Sequence, residues 1–245
     1  MHDGRDRLIV AVDVANGEKA RTLVQALGET VTFYKVGKEL FTAEGPGIVR
    51  DLVASGKRVF LDLKFHDIPN TVAGAVRTAA SLGVSFLSVH ASGGSKMLKA
   101  AAEAAAQSAA KPMILAVTVL TSFSSADLGE IGVCGDVEAE VLRLAELAIN
   151  AGCGGIVASA QEAPSLRQML GTGFTLVTPG IRPAGGIAGD QARVVTPEDG
   201  IRAGADYLVV GRPITASDDP QAAARAITQQ IEAAPCAFHS SPHLA

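Results

Sequence analysis

The sequence contains no tryptophan, and aromatic residues occupy only 4% of its 245 positions. A core built from this chain must therefore be aliphatic. Basic residues are also few, since 21 Lys and Arg against 25 Asp and Glu give a formal net charge of −4 at pH 7. Proteins that bind nucleic acid usually present a basic stripe. The composition therefore argues against a nucleic-acid partner, and a site for an anionic ligand must be local.

Cysteine and long apolar runs are scarce as well. The three cysteines, Cys134, Cys153 and Cys236, show no CxxC spacing, which favours reduced thiols over a disulfide framework or a zinc site. No apolar run reaches the roughly 18 residues that a membrane span requires. The apolar stretch after the charged N-terminus is short and ends near Asp13, which is unlike a signal peptide. We therefore expect a soluble, cytoplasmic protein that does not interact with membranes.

Short apolar runs alternate with Ala- and Leu-rich helical stretches along the chain, which predicts a parallel sheet. The predicted strands are Leu8–Val12, Thr32–Val36, Arg58–Leu63, Phe86–Val89, Met113–Leu120, Gly155–Ala158, Thr175–Thr178 and Tyr207–Val210. The predicted helices are Glu18–Leu27, Gly47–Ser55, Thr71–Leu82, Ser95–Ala109, Val137–Ala151, Pro164–Leu170 and Pro220–Ala233, with a short helix capped by residues 196–199. Eight strands in this length favour a single-domain α/β fold of the (β/α)8 TIM-barrel class over residues 1–234. An open, doubly wound sheet is the alternative, and residues 235–245 are predicted to form a flexible tail.

Charged residues interrupt the strands where a core is expected. Asp62 and Lys64 lie two apart on the third predicted strand and so share one face. Asp13 ends the first predicted strand and Lys35 ends the second, which adds two more charges near the same rim. Burying such charges is costly unless they are paired. A structural ion pair that closes the barrel mouth is one interpretation, and a network that holds a lysine beside a reacting atom is the other.

The end of the eighth predicted strand has the character of a phosphate site. Gly211 would let a ligand approach the backbone closely, and Arg212 offers a forked donor. Arg182 follows the seventh strand, and the loops after strands seven and eight are the usual phosphate site of these barrels. A P-loop, a nucleophile elbow and an HExxH motif are absent from the sequence, and no metal site is predicted.

Together these features resemble the orotidine 5′-phosphate decarboxylase family, over residues 7–233. The residues that carry the resemblance are Asp13, Lys35, the DxKxxD motif of Asp62, Lys64 and Asp67 with Thr71 after it, Thr121 and Ser122 after strand five, Pro179 and Arg182 after strand seven, Gln191 in the next loop, and Gly211 and Arg212 after strand eight.

The resemblance implies a decarboxylase that needs neither a metal nor an organic cofactor. Lys64 would protonate C6 of the pyrimidine, Asp62 would face the departing carboxylate, and Lys35 and Asp67 would complete the charged array. Lys35 and Asp13 would also hold ribose hydroxyls. The residues implied to bind the rest of the nucleotide are Thr121 and Ser122 at the pyrimidine, Arg182, Gly211 and Arg212 at the phosphate, Gln191 bridging phosphate and base from a closing loop, and Pro179 after strand seven.

The resemblance also implies a homodimer, in which Asp67 and Thr71 reach the neighbouring subunit's site.

Two other functions fit parts of the sequence. Related metal-dependent enzymes act on sugar phosphates and share the DxKxxD strand, but they carry a Glu on the second strand where this chain has Lys35, and a protonated lysine cannot bind a hard cation. A sensor that binds a phosphate ligand would need Arg212 but would have no use for the Asp62–Lys64 pair.

Overall fold

The computed structural model describes residues 4–183 and 195–235. Eight parallel strands form a closed barrel in sequence order, from β1 beside β2 round to β8 beside β1. The strands are β1 (Leu8–Ala11), β2 (Phe33–Gly37), β3 (Arg58–Phe65), β4 (Phe86–His90), β5 (Met113–Val117), β6 (Gly155–Val157), β7 (Thr175–Thr178) and β8 (Tyr207–Val210). The predicted TIM barrel is confirmed, and the open sheet is excluded by the pairing of β1 with β8.

Helices follow the strands and cover the outside of the barrel. They are α1 (Gly4–Arg7), α2 (Gly17–Leu27), α3 (Lys38–Glu44), α4 (Gly47–Ala54), α5 (Pro69–Ala80), α6 (Gly94–Ala106), α7 (Ser125–Glu130), α8 (Val137–Asn150), α9 (Ala163–Leu170), α10 (Pro197–Arg202), α11 (Arg212–Thr215) and α12 (Pro220–Ala233). None of the helices in the described ranges is long and apolar enough to cross a membrane.

The longer helices match the predicted ones to within a few residues, and polar caps fix where several of them begin. The side chains of Asn16, Asp136 and Asp219 each accept a backbone N–H of the first turn, at α2, α8 and α12 respectively. Thr196 caps α10 in the same way, as predicted. The sequence did not predict α1, α3, α7 and α11, because seven residues or fewer make at most about two turns and show no clear periodicity.

The barrel interior is apolar and separate from the layer between strands and helices. Its buried members are Ile9, Ala11, Phe33, Phe60, Phe86, Leu115, Val177, Tyr207 and Val209. At the amino end of the barrel the guanidinium carbon of Arg58 lies 4.1 Å from the ring centroid of Phe33 and 5.7 Å from that of Tyr207. Aromatic rings and this cation fill the amino end, so the interior opens toward the carboxyl ends of the strands.

Strand β5 is shorter than predicted. It ends at Val117 and not at Leu120. Beyond it, the carbonyl of Val157 accepts both the backbone N–H and the hydroxyl of Thr118, at 3.3 and 3.1 Å. Val119 and Leu120 then line the cavity at the barrel mouth. The apolar run therefore serves two purposes, as a strand and then as part of the wall of the cavity.

Candidate active site

A cavity of about 210 Å³ opens at the carboxyl ends of the strands. Its lining residues are Asp13, Lys35, Phe60, Asp62, Lys64, Val117, Val119, Leu120, Thr121, Val157, Ala158, Pro179 and Val209. The lining is charged on the side of β1 to β3 and apolar on the side of β5 to β8. A ligand with one polar and one apolar side would suit these two walls.

Four charged side chains form a continuous line along the polar wall. Lys35 Nζ lies 2.9 Å from Asp13 Oδ1 and 3.5 Å from Asp62 Oδ2. Lys64 Nζ donates to both carboxylate oxygens of Asp62 at 2.8 Å. The structure thus brings the four predicted charges together, in the order Asp13, Lys35, Asp62, Lys64. Their places along the strands differ from the prediction: Asp13 lies two residues beyond β1, and Lys35 is the third of the five residues of β2.

Burial and charge act in opposite directions on Asp62, which is 8% exposed. Burial alone would raise the pKa of its carboxyl. The ammonium groups of Lys35 and Lys64, with hydrogen bonds from Lys64 and Ser88, outweigh that effect and hold the pKa of Asp62 below its ordinary value. Asp62 is therefore a buried carboxylate that stays ionised because two cations flank it.

The comparisons with known proteins agree with one another. The model of the orotidine 5′-phosphate decarboxylase / HUMPS family matches residues 6–227. The chain is 55% identical over 227 residues to an orotidine 5′-phosphate decarboxylase of Nitrosococcus oceani, covering 93% of this chain and 98% of the relative. It is 52% identical over 238 residues to the enzyme of that name from Moorella thermoacetica, covering 95% and 94%. The crystal structure of orotidine 5′-phosphate decarboxylase from Lactobacillus acidophilus superposes with a TM-score of 0.84 at 40% identity, covering 92% of this chain and 99% of that one.

The chain belongs to the orotidine 5′-phosphate decarboxylase / HUMPS family. This assignment confirms the resemblance that the sequence motifs indicated. The four charged residues at the cavity wall are among the motif residues that carry the resemblance to the decarboxylases.

Two residues of the family motif lie away from the chain's own cavity. Asp67 and Thr71 are exposed, in the β3–α5 connection and the first turn of α5. The carboxylate of Asp67 accepts the backbone N–H of Ile68 at 2.6 Å and is not among the cavity's lining residues. Ile68 is itself 67% exposed. Within one chain, therefore, Asp67 is not part of the Asp13–Lys35–Asp62–Lys64 line.

The predicted phosphate-binding residues lie near the neighbouring strand ends. Gly211 follows β8, and the exposed Arg212 begins α11. Arg182 is buried, its guanidinium donates to the carbonyl of Ile181 at 2.9 Å, and its backbone N–H donates to the carbonyl of Val195 at 3.0 Å. An isolated parallel bridge pairs Ile181 with Val195.

The other residues predicted to bind the nucleotide divide into three cases. Thr121 and Pro179 line the cavity, whereas Ser122 is exposed and is not one of its lining residues. Gln191 lies outside the described residues, as do positions 236–245 of the predicted tail.

Sequence reasoning missed two residues that shape the charged line. Ser88 on β4 is fully buried and donates its hydroxyl to Asp62 Oδ1 at 2.8 Å. Gly37 ends β2, and a Cβ at this position would lie 2.9 Å from both Asp13 Oδ1 and Lys35 Nζ. A serine inside an apolar strand and a glycine that follows a buried lysine were the available signals.

Two histidines, His66 and His90, lie beside the site. The ring centroids of His66 and His90 are 5.7 Å apart. Burial, followed by the nearby charges of His66, Lys64 and Lys38, lowers the pKa of His90 to about 4. His90 is therefore neutral at pH 7. In the described part of the chain, no three His, Cys, Asp or Glu side chains are grouped to hold a metal ion.

Replacing Lys35 with Met should raise the pKa of Asp62, because the carboxyl stays buried while one of its two cations is lost. The folded pKa of Asp62 lies below the value of about 3.9 for an unfolded chain. Ionised Asp62 therefore stabilises the folded wild-type protein, and this stabilisation is lost as the pH falls through the folded pKa. The variant should lose it at a higher pH.

The carboxyl ¹³C shift of Asp62 across a pH titration measures this change directly. Lys19→Met, at an exposed position on α2, is the matched control and should leave the midpoint where it is. An unchanged midpoint in Lys35→Met would contradict the electrostatic account of Asp62.

Proposed function

We propose that this chain converts orotidine 5′-phosphate to uridine 5′-phosphate and carbon dioxide, the last step of de novo UMP synthesis, without a metal or organic cofactor. The observation that carries the proposal is the contact of Lys64 Nζ with both oxygens of the buried Asp62 at the wall of the cavity. The names of relatives at 52 to 55% identity over nearly the whole chain support it.

In the proposed reaction the bond between C6 of the pyrimidine and its carboxylate breaks. Carbon dioxide leaves, and the electron pair of that bond stays on C6. The ammonium of Lys64 stabilises the developing negative charge and then donates a proton to C6, which gives uridylate. The neutral amine regains its proton from water, so the enzyme returns to its starting state.

Asp62 would face the carboxylate that leaves, and repulsion between the two anions favours its loss. A carboxylate placed next to another would ordinarily take up a proton. Asp62 resists this because Lys35 and Lys64 lower its pKa. Lys35 and Asp13, which contact each other at 2.9 Å, would in addition hold the ribose hydroxyls.

The remaining contacts would bind the parts of the nucleotide that do not react. Thr121 and Pro179, which line the cavity, and the exposed Ser122 would contact the base. Arg182, Gly211 and Arg212 would hold the phosphate, and Gln191 would bridge phosphate and base from the loop that starts near Pro179. Binding energy from the phosphate would close this loop and align C6 with Lys64.

The metal-dependent enzymes that act on sugar phosphates are the nearest alternative, because the family description also covers HUMPS. Lys35 argues against that activity. Its ammonium lies between Asp13 and Asp62, where a divalent cation would need an oxygen ligand. A sensor that binds a phosphate ligand would not require the Asp62–Lys64 contact.

The direct test follows the ultraviolet absorbance of orotidine 5′-phosphate, with and without excess chelator. We expect rapid conversion to uridylate that does not depend on the chelator.

Lys64→Ala should reduce kcat by about 10⁴-fold or more, since both proton donation and charge stabilisation are lost. Lys19→Ala is the control and should behave as wild type. Inhibition by the chelator would favour the metal-dependent alternative, and residual turnover within tenfold of wild type in Lys64→Ala would remove its role as the acid.

Arg212→Ala tests the phosphate contact. A charge-assisted hydrogen bond contributes roughly 1.5–3 kcal/mol, so kcat/KM should fall by about 10- to 150-fold. Arg202→Ala, which removes an exposed arginine of α10 paired with Glu198 and Asp199, should leave kcat/KM unchanged. An unchanged kcat/KM in Arg212→Ala would contradict the assignment of Arg212 to the phosphate.

We further propose that two chains form a cytoplasmic homodimer in which Asp67 and Thr71 complete the partner's site. The exposure of both side chains and of Ile68 between them supports this arrangement. Lys64→Ala and Asp67→Ala subunits should each be nearly inactive alone. Mixed dimers would hold one site with both residues intact, so random exchange should restore about a quarter of the wild-type activity. No recovery on mixing, with exchange verified by mass spectrometry, would place Asp67 and Lys64 in the same subunit's site or remove Asp67 from the site.

A further inference from the structure

Strand β3 departs from regular pairing directly opposite Ser88. The register pairs Leu61 with Leu87 and Phe65 with Val89, so three residues of β3 span the place of one residue of β4, which is Ser88. Such bulges re-aim side chains and are over-represented next to active sites. The three residues in the bulge include both partners of the catalytic ion pair.

Ser88 joins the two ends of this bulge. Its hydroxyl donates to Asp62 Oδ1 at 2.8 Å and accepts the backbone N–H of Lys64 at 2.9 Å. A hydroxyl has one donor and two acceptor sites, so both bonds form at once. Ser88 is fully buried, so both bonds are shielded from water.

The backbone of Lys64 needs such support. Its φ is +52°, in the left-handed region that non-glycine residues seldom adopt. Residues of this kind persist when their surroundings hold them in place. Without the Ser88 hydroxyl, the backbone N–H of Lys64 would lose its hydrogen-bond acceptor. If Lys64 then adopted the usual β-strand angles, its ammonium would move away from Asp62.

We propose that Ser88 is a positioning residue, whose hydroxyl fixes the left-handed backbone of Lys64 and the orientation of the Asp62 carboxylate so that Lys64 Nζ lies at the reacting carbon. This inference deepens the proposed decarboxylation and rests on it for its consequences in turnover. The contacts themselves can be tested whether or not the chain turns over orotidine 5′-phosphate.

The hydroxyl also contributes to the charge state of Asp62. Its hydrogen bond is one of the interactions that lower the pKa of this carboxyl, together with Lys35 and Lys64 and against burial. The other charged or titratable groups around the pair are Asp13, which contacts Lys35, and the neutral His90 at the end of β4. Ser88→Ala removes the hydroxyl and changes no charge, so a shift in the titration of Asp62 would report the lost hydrogen bond together with any displacement of Lys64.

The experiment compares Ser88→Ala with Ser88→Thr and with Thr228→Val. Threonine keeps the hydroxyl. Thr228→Val removes another buried hydroxyl, on α12, which has no hydrogen-bond partner among the described residues. We expect kcat of Ser88→Ala to fall about 10- to 100-fold with little change in KM, as for a small misplacement of a reacting group. The acid limb of its kcat–pH profile should move to higher pH, because the pKa of Asp62 rises. Ser88→Thr should recover most of the loss, and Thr228→Val should match wild type.

A merely structural role would lower the unfolding temperature of Ser88→Ala but leave the kcat of the folded enzyme and the acid limb unchanged. That result would overturn the proposal, as would a Ser88→Thr variant as impaired as Ser88→Ala. If wild type itself shows no decarboxylation, the proposed function fails, and the crystal structure of Ser88→Ala decides the inference instead. A retained Lys64 φ near +52° with Nζ still on both oxygens of Asp62 would refute it, and a changed Lys64 backbone would support it.

Discussion

The arrangement of the site depends on one constraint, which is that the carboxylate of Asp62 is buried and must stay ionised. Burial makes an isolated carboxylate costly, and breaking a buried pair by removing one partner typically costs about 3–5 kcal/mol. Two cations, Lys35 and Lys64, flank it. Lys35 also contacts Asp13 at 2.9 Å. The line of alternating charges therefore contains two of each sign, and it is neutral as a whole while Asp62 stays charged beside Lys64.

The closed barrel supplies the geometry that this set requires. The residues come from three consecutive strands or their ends, and the parallel register pairs Ala11 with Lys35 and Gly37 with Asp62. Neighbouring strands lie about 4.8 Å apart, which is within the reach of a lysine side chain but leaves little room beside it. The absence of a side chain at Gly37 keeps that room free, because a Cβ there would come within 2.9 Å of both members of the Asp13–Lys35 pair.

The sequence predicted most of the fold and the charged members of the site, for reasons that can be traced to particular residues. Strand β8 has the predicted bounds because its apolar run is bordered by Asp206 and Gly211. The charges were recognisable because they interrupt such runs. Ser88 gave only a weak signal, since a serine contrasts little with an apolar strand and its contacts depend on a register shift between β3 and β4. The register between two strands cannot be predicted from the sequence of either strand alone. The length of β5 was predicted wrongly because residues that line a cavity and residues of a buried strand are equally apolar.

Two glycines at the barrel mouth answer two different constraints within the chain. At Gly37 the constraint is space, because a Cβ would clash with the Asp13–Lys35 ion pair. At Gly211 space is available, since a Cβ there would meet only the methyl group of Ala11, at an ordinary 3.7 Å. The backbone of Gly211, with φ −108° and ψ −108°, instead lies outside the α and β regions that residues with a Cβ favour. Glycine adopts such angles at little cost, and the chain can therefore turn from the end of β8 directly into α11.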